Sequence, residues 1–323
     1  MIFTISLLFF GFIGVIVLFE EWKMPYMPIV PMRQSGVLLP SELGLQYENL
    51  DIDVENGLIL RGYFIHALGV PKATIILLHG IGSNKENWLR HAQMLAQNGF
   101  NAVVYDQRAH GKSDGDYCTF GFYEKYDVSK FVDILLEKMP TMKIGVQGAS
   151  LGGAVALQVL AHDKRLGFGI VESTFNTLEN VVEKYGYDYF RIKSRWLARR
   201  ILTKSAIIAR FRPFEIQPMV ACRHINQPVL IVHGDADDKI PIDFDRENFA
   251  ALSSINKEFY VVKGAGHDNV GEIGGKKYQR KIFSFLQRAL RTPLSKIVFE
   301  MPHRPKKMSN VVTKLKTKFF KRK

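Results

Sequence analysis

The period of hydrophobic and polar positions changes several times along the chain, and each change marks an element. Residues 2–19 carry no charge, and 14 of these 18 are Leu, Ile, Phe or Val. As a helix this run would be about 27 Å long, close to the hydrocarbon thickness of a bilayer. A cleaved signal peptide wants a basic n-region and a small-residue cleavage site. Here no Lys or Arg precedes the run, and Phe19-Glu20-Glu21-Trp22 follows it. The expectation is an uncleaved transmembrane anchor over residues 1–22. Lys23 and Arg33 lie on its C-terminal flank, which favours a cytoplasmic body.

A stretch with Pro25, Pro28 and Pro31 reads as a linker, residues 23–44. Beyond it, strand and helix patterns alternate. Residues 45–54 and 58–66 read as a hairpin around Glu55-Asn56-Gly57. Residues 73–79 (ATIILLH) are a continuous apolar run, the mark of a strand buried on both faces. Further strands are expected at 101–105, 143–147, 168–172, 228–233 and 258–262. Helical spacing covers 85–98, 125–138, 151–162 and 275–290. This alternation predicts an α/β fold with a mostly parallel sheet and helices on both faces. About 50 residues separate the strand ending at Glu172 from the one starting at Val229, too many for an ordinary connection. They are read as a small helical cap, about 175–227, with Ile192, Trp196, Leu197, Ile201 and Ile208 on one side.

Composition narrows the class. Apolar residues make up 47% and charged residues 23% of the 323, which is globular usage. Cys118 and Cys222 are the only cysteines, so a disulfide framework and a Cys-rich zinc module are both excluded. The net charge of +13 is uneven: residues 291–323 carry +10 and residues 175–227 carry +6, which leaves the rest slightly acidic. Such a distribution argues against a simple nucleic-acid-binding domain, and no recognition motif accompanies the charge. The basic tail, 296–323, is expected to meet an anionic membrane surface.

One motif carries chemistry. Gly148-Ala149-Ser150-Leu151-Gly152 is a G-x-S-x-G between a predicted strand and a predicted helix. The glycines permit a tight turn that lifts the Ser150 hydroxyl to the helix N-terminus, where negative charge is stabilised. A serine nucleophile needs a base. Among nine histidines, His267 stands in Gly264-Ala265-Gly266-His267-Asp268, after the last predicted strand. An orienting carboxylate is sought in 233–241 (HGDADDKIP), where Asp235, Asp237 and Asp238 crowd one turn; Glu172, at an earlier strand end, is the alternative. An oxyanion hole needs two amides, expected from Leu151 and from Ile81 in His79-Gly80-Ile81-Gly82. This chemistry needs no metal or cofactor.

Residues 45–291 resemble the α/β-hydrolase-fold serine hydrolases. The matching segments are HGIG (79–82), YDQRAHGKSDG (105–115), GASLGG (148–153), HGDADDKIP (233–241) and GAGHDN (264–269), in family order. The resemblance implies a domain over 45–295, a Ser150–His267–Asp237 triad and a structural role for the 105–115 loop, His110 included. It selects Asp237 because the family pattern is H-G-x-x-D-x-x-V/I-P. It is closest to membrane-anchored members that hydrolyse acyl esters, acyl thioesters or acylglycerols, and does not extend to the anchor or the tail. Serine at the nucleophile position argues against dehalogenases and epoxide hydrolases of this fold, and the basic cap argues against an aminopeptidase. The expected activity is hydrolysis of an acyl ester or lipid-like substrate. The rival expectation is a non-catalytic member of the fold that binds a lipid or a protein.

Overall fold

A computed structural model of the chain describes residues 23–291. The anchor expected at 1–22 and the tail at 296–323 lie outside the described residues. Among the described residues no helix is long and apolar enough to cross a membrane.

Eight strands form one sheet: β1 (Tyr47–Asn49), β4 (Gly62–Ile65), β6 (Asn101–Tyr105), β5 (Thr74–Leu78), β7 (Ile144–Ala149), β8 (Leu166–Glu172), β9 (Val229–Gly234) and β10 (Lys257–Val262), in that spatial order. From β6 to β10 every pairing is parallel, while β1 and β4 are antiparallel. All five residues of β5 are buried, as a strand covered on both faces requires.

Two apolar layers cover the sheet. On one face, α1 (Leu89–Gln97) and α8 (Val270–Arg291) pack Leu89, Ala92, Ile282 and Phe285 against Ile75, Leu77 and Val104. On the other, α2 (Glu124–Lys138) and α3 (Leu151–His162) pack Phe131, Leu135, Val155 and Val159 against Ile76, Leu78 and Val146.

Several expectations need correction. The hairpin over 45–66 is interrupted: β1 pairs with β4, but β2 (Ile52–Asp53) and β3 (Ile59–Leu60) form a separate two-stranded ladder. Leu50, Ile52 and Leu60 leave the main sheet to join the α2–α3 layer. The last helix begins at Val270 rather than at 275 and is broken at Gly275, whose φ is 48°. The 23–44 segment is no free linker. Ile29 is fully buried and its carbonyl accepts the Cys118 amide at 2.8 Å. Arg33 donates to the carbonyls of Gly111, Ser113 and Gly115. One helix went unforeseen: α7 (Ile242–Ala251), whose fully buried side chains include the polar Asp245 and Asn248. Hydrophobic periodicity is blind to a helix that turns polar groups inward.

The cap leaves the sheet after β8 and returns before β9. It contains α4 (Leu178–Phe190), α5 (Arg195–Ala209) and the short α6 (Pro218–Cys222). Its two ends meet: the Leu178 amide donates to Ile216 O at 3.0 Å and the Met219 amide to Asn176 O at 3.1 Å. The buried stripe of α5 is Ala198, Leu202, Ser205 and Ala209, not the bulky set expected. Small residues let this helix approach its neighbours, and Ile192 and Trp196 are left outside.

Candidate active site

The site stands at the C-terminal ends of the central strands. β7 ends at Ala149 and α3 begins at Leu151, so Ser150 alone makes the turn. Its φ of 56° and ψ of −117° are strained for a residue with a side chain. Its amide donates to Glu172 O at 2.8 Å, and its carbonyl accepts from Thr174 Oγ1 at 2.7 Å. The flanking glycines are steric necessities. A Cβ on Gly148 would lie 2.2 Å from Gly152 O, and one on Gly152 would lie 2.1 Å from Leu78 O. Ser150 lines a cavity of about 1120 Å³ together with Ile81, Glu172 and His267.

The loop after β5 crosses beside the serine: a Cβ on Gly80 would be 3.5 Å from that of Ser150. His79 fixes this loop. Its Nε2 accepts the Gln107 amide at 3.0 Å, which leaves the proton on Nδ1, donated to Gly80 O at 2.8 Å. Burial, with His110 beside it, pushes its pKa down to about 3, so the ring is neutral. Among the described residues neither the Ile81 nor the Leu151 amide donates a hydrogen bond. Two uncommitted donors therefore stand next to Ser150, as a developing oxyanion requires.

His267 lies in the loop between β10 and α8, with its Nδ1 at 2.8 Å from Asp237 Oδ2. The Asp237 side chain is fully buried, and its Oδ1 accepts the amides of Lys239 and Ile240 at 3.0 and 2.8 Å. Burial works to raise the carboxyl's pKa, but bonds from His233 and His267 outweigh it and hold the group well below the usual carboxylate range. An ionised carboxylate on Nδ1 keeps the proton there and leaves Nε2 free to act as a base. Ser150 and His267 face the same cavity, with no hydrogen bond between Oγ and Nε2. Contacts of this kind commonly close only with substrate bound.

The neighbouring acids are otherwise engaged. Asp235 Oδ1 accepts the Gly264 amide at 2.6 Å, and Asp238 is exposed. Glu172 Oε1 accepts from Tyr278 Oη at 2.6 Å and from Gln147 Nε2 at 2.7 Å, so this carboxylate orients no histidine. His110 is fully buried and its Nδ1 bonds Arg108 O at 2.9 Å. The loop around it is pinned by Asp106, which accepts from the Lys85 amide, Lys85 Nζ and the Lys112 amide.

Two residues escaped sequence reasoning. His233 stacks behind the acid, with Nε2 at 3.4 Å from Asp237 Oδ2 and Nδ1 at 2.7 Å from Asp245 Oδ2. The pair could not be seen because Asp245 lies on the unforeseen α7.

A serine on a strained strand-to-helix turn, sharing a cavity with a histidine bonded to a carboxylate at the C-terminal ends of a sheet of this strand order, is the arrangement of a hydrolase, and the chain has the α/β-hydrolase fold. Comparison with known proteins agrees. The family described as serine aminopeptidase, S33, matches residues 69–206. The Bacillus subtilis protein YqkD is 28% identical over 79% of this chain and 80% of its own length. The Arabidopsis thaliana α/β hydrolase domain-containing protein WAV2 is 26% identical over 89% of this chain and 96% of its own. An esterase of Pyrococcus furiosus superposes with a TM-score of 0.68 at 27% identity, over 80% of this chain and 97% of the other.

Proposed function

We propose that the protein is a membrane-attached serine hydrolase that cleaves acyl esters or thioesters. The observation that carries the reading is the 2.8 Å bond from buried Asp237 to His267, a residue that lines the same cavity as Ser150. In this reading Ser150 Oγ attacks the acyl carbonyl carbon and its proton passes to His267 Nε2. The carbonyl oxygen becomes an oxyanion held by the Ile81 and Leu151 amides. Collapse breaks the bond to the leaving group, which takes the proton from His267, and an acyl-Ser150 intermediate remains. Water, deprotonated by His267, then releases the acid and restores the serine. Similarity to a Pyrococcus furiosus esterase supports the ester class. Residues 1–22 hold the enzyme in the membrane with its body on the cytoplasmic side, and the 296–323 tail rests on anionic lipid.

A fluorophosphonate probe tests the chemistry: wild-type protein labels at Ser150 and hydrolyses p-nitrophenyl esters. Folded protein that does neither is a non-catalytic binding module instead. Deletion of residues 1–22 tests the attachment and should release an active body from membranes. A truncated protein that still sediments with membranes in high salt contradicts the anchor.

A further inference from the structure

We propose that the outer face of cap helices α4 and α5, with residues 24–32 beside them, is a docking surface for an anionic phospholipid bilayer. It turns the active-site mouth toward the membrane. The inference rests on the proposed anchor and specifies how the body lies relative to it.

The face has the chemistry of an interface. Tyr189 is 75% and Trp196 67% exposed, and Met27, Phe190, Ile192 and Ile207 are exposed too. Apolar side chains gathered in this way on a folded surface mark a contact. Between Tyr189 and Phe214 the sequence has eight Lys or Arg and no acid. Arg195 and Arg199 share a single carboxylate, Glu179, so the face keeps an excess of positive charge. Arg191 lies over the Tyr187 ring and Arg200 over that of Trp196, at 5.6 and 5.7 Å from the centroids. Rings at the acyl boundary with cations at phosphate level are how a peripheral surface binds lipid.

Chain geometry then selects the occupant. Met24 and Pro25 are buried, and Pro25 O accepts from Ser205 Oγ of α5 at 2.6 Å. The chain therefore leaves the described body alongside the cap. The charge-free run ends at Phe19, only four residues before Lys23. Four residues span at most about 14 Å, so a bilayer that takes up residues 2–19 must lie close to this face. An apolar cleft of about 120 Å³ opens between Met24 and Met27 and the two cap helices. Tyr185 and Tyr189 line both that cleft and the active-site cavity. An amphiphile leaving the membrane would meet the cleft and then the serine.

Depth-dependent quenching tests the proposal on the full chain. A nitrobenzoxadiazole label is placed at Trp196→Cys, and as control at Ile255→Cys, which is 93% exposed beyond α7. Native Cys118 and Cys222 are buried. Vesicles of phosphatidylcholine with about 30 mol% phosphatidylglycerol carry doxyl-labelled lipid. The expected result is flotation of both proteins with the vesicles and at least about twofold quenching at 196 with none at 255. Arg191→Glu with Lys193→Glu should then weaken the quenching at 196. Flotation without quenching at 196 overturns the docking face and leaves the anchor standing. Failure to float overturns both. Equal quenching at the two positions shows a body tumbling on its tether and also overturns the proposal.

Discussion

His233 and His267 share one carboxylate oxygen: Asp237 Oδ2 lies 2.8 Å from His267 Nδ1 and 3.4 Å from His233 Nε2. The other nitrogen of His233 faces Asp245 at 2.7 Å, and Ile240 O lies 3.0 Å from Nε2. Acceptors on both sides of the ring favour the imidazolium. Asp237 is thus backed by a buried cation, itself held by a second acid, Asp245.

That arrangement sets a pH response. Burial opposes charge on His233, but Asp237 and Asp245 outweigh it and push its pKa up to about 9, from an ordinary 6.5. A pKa raised on folding means that the charged ring stabilises the fold fully below about 6.5, a contribution lost as pH rises through about 9. Thermal melts of the wild type should show Tm falling across that window, and His233→Gln should flatten the fall. A Tm slope that is the same in both proteins would show that His233 is not the group responsible.

Ser150→Ala should lose at least about a thousandfold in kcat on a p-nitrophenyl ester and keep its far-UV circular dichroism. The side chain makes no described hydrogen bond that folding would miss. Activity above that level would remove Ser150 from the nucleophile's role.

Asp237→Asn should cost about 10⁴ in kcat, because an amide neither balances the imidazolium nor enforces the tautomer. Asp235→Asn, Asp238→Asn and Glu172→Gln should each cost less than about tenfold, or 1.4 kcal/mol. A severe Glu172→Gln beside a mild Asp237→Asn, measured on the same ester, would move the orienting acid to the end of β8.

Ile29→Ala probes the segment before the first strand. A fully buried isoleucine of this kind contributes about 2–5 kcal/mol. Thermal unfolding in detergent should show Tm several degrees lower. An unchanged Tm would mean that residues 23–36 are not part of the cooperative fold.

Much of this was legible in the sequence wherever the signal was apolar or steric. The run at 73–79 gave β5 because both of its faces are covered. The glycines around Ser150 marked a turn that admits no side chain at 148 or 152. Asp237, by contrast, stands out among three neighbouring acids only through the family pattern; what distinguishes it physically is its burial and its bond to His267, since Asp235 and Asp238 are exposed. α7 was missed because its inward residues are polar. The inner stripe of α5 was misjudged because Ala198, Ser205 and Ala209 are too small to weigh in a hydrophobic pattern, whereas Trp196 weighs heavily and faces outward.

The cap begins and ends at one place, where the Leu178 and Met219 amides bond Ile216 O and Asn176 O. An excursion that closes on itself at its base is a replaceable module. Lengthening it, or exchanging it for another, leaves the register of β8 and β9 as it was and leaves Ser150, Asp237 and His267 on their own loops. Selection can therefore redraw what the enzyme admits without touching how it reacts. The scaffold of this chain is a chassis on which substrate range and chemistry evolve separately.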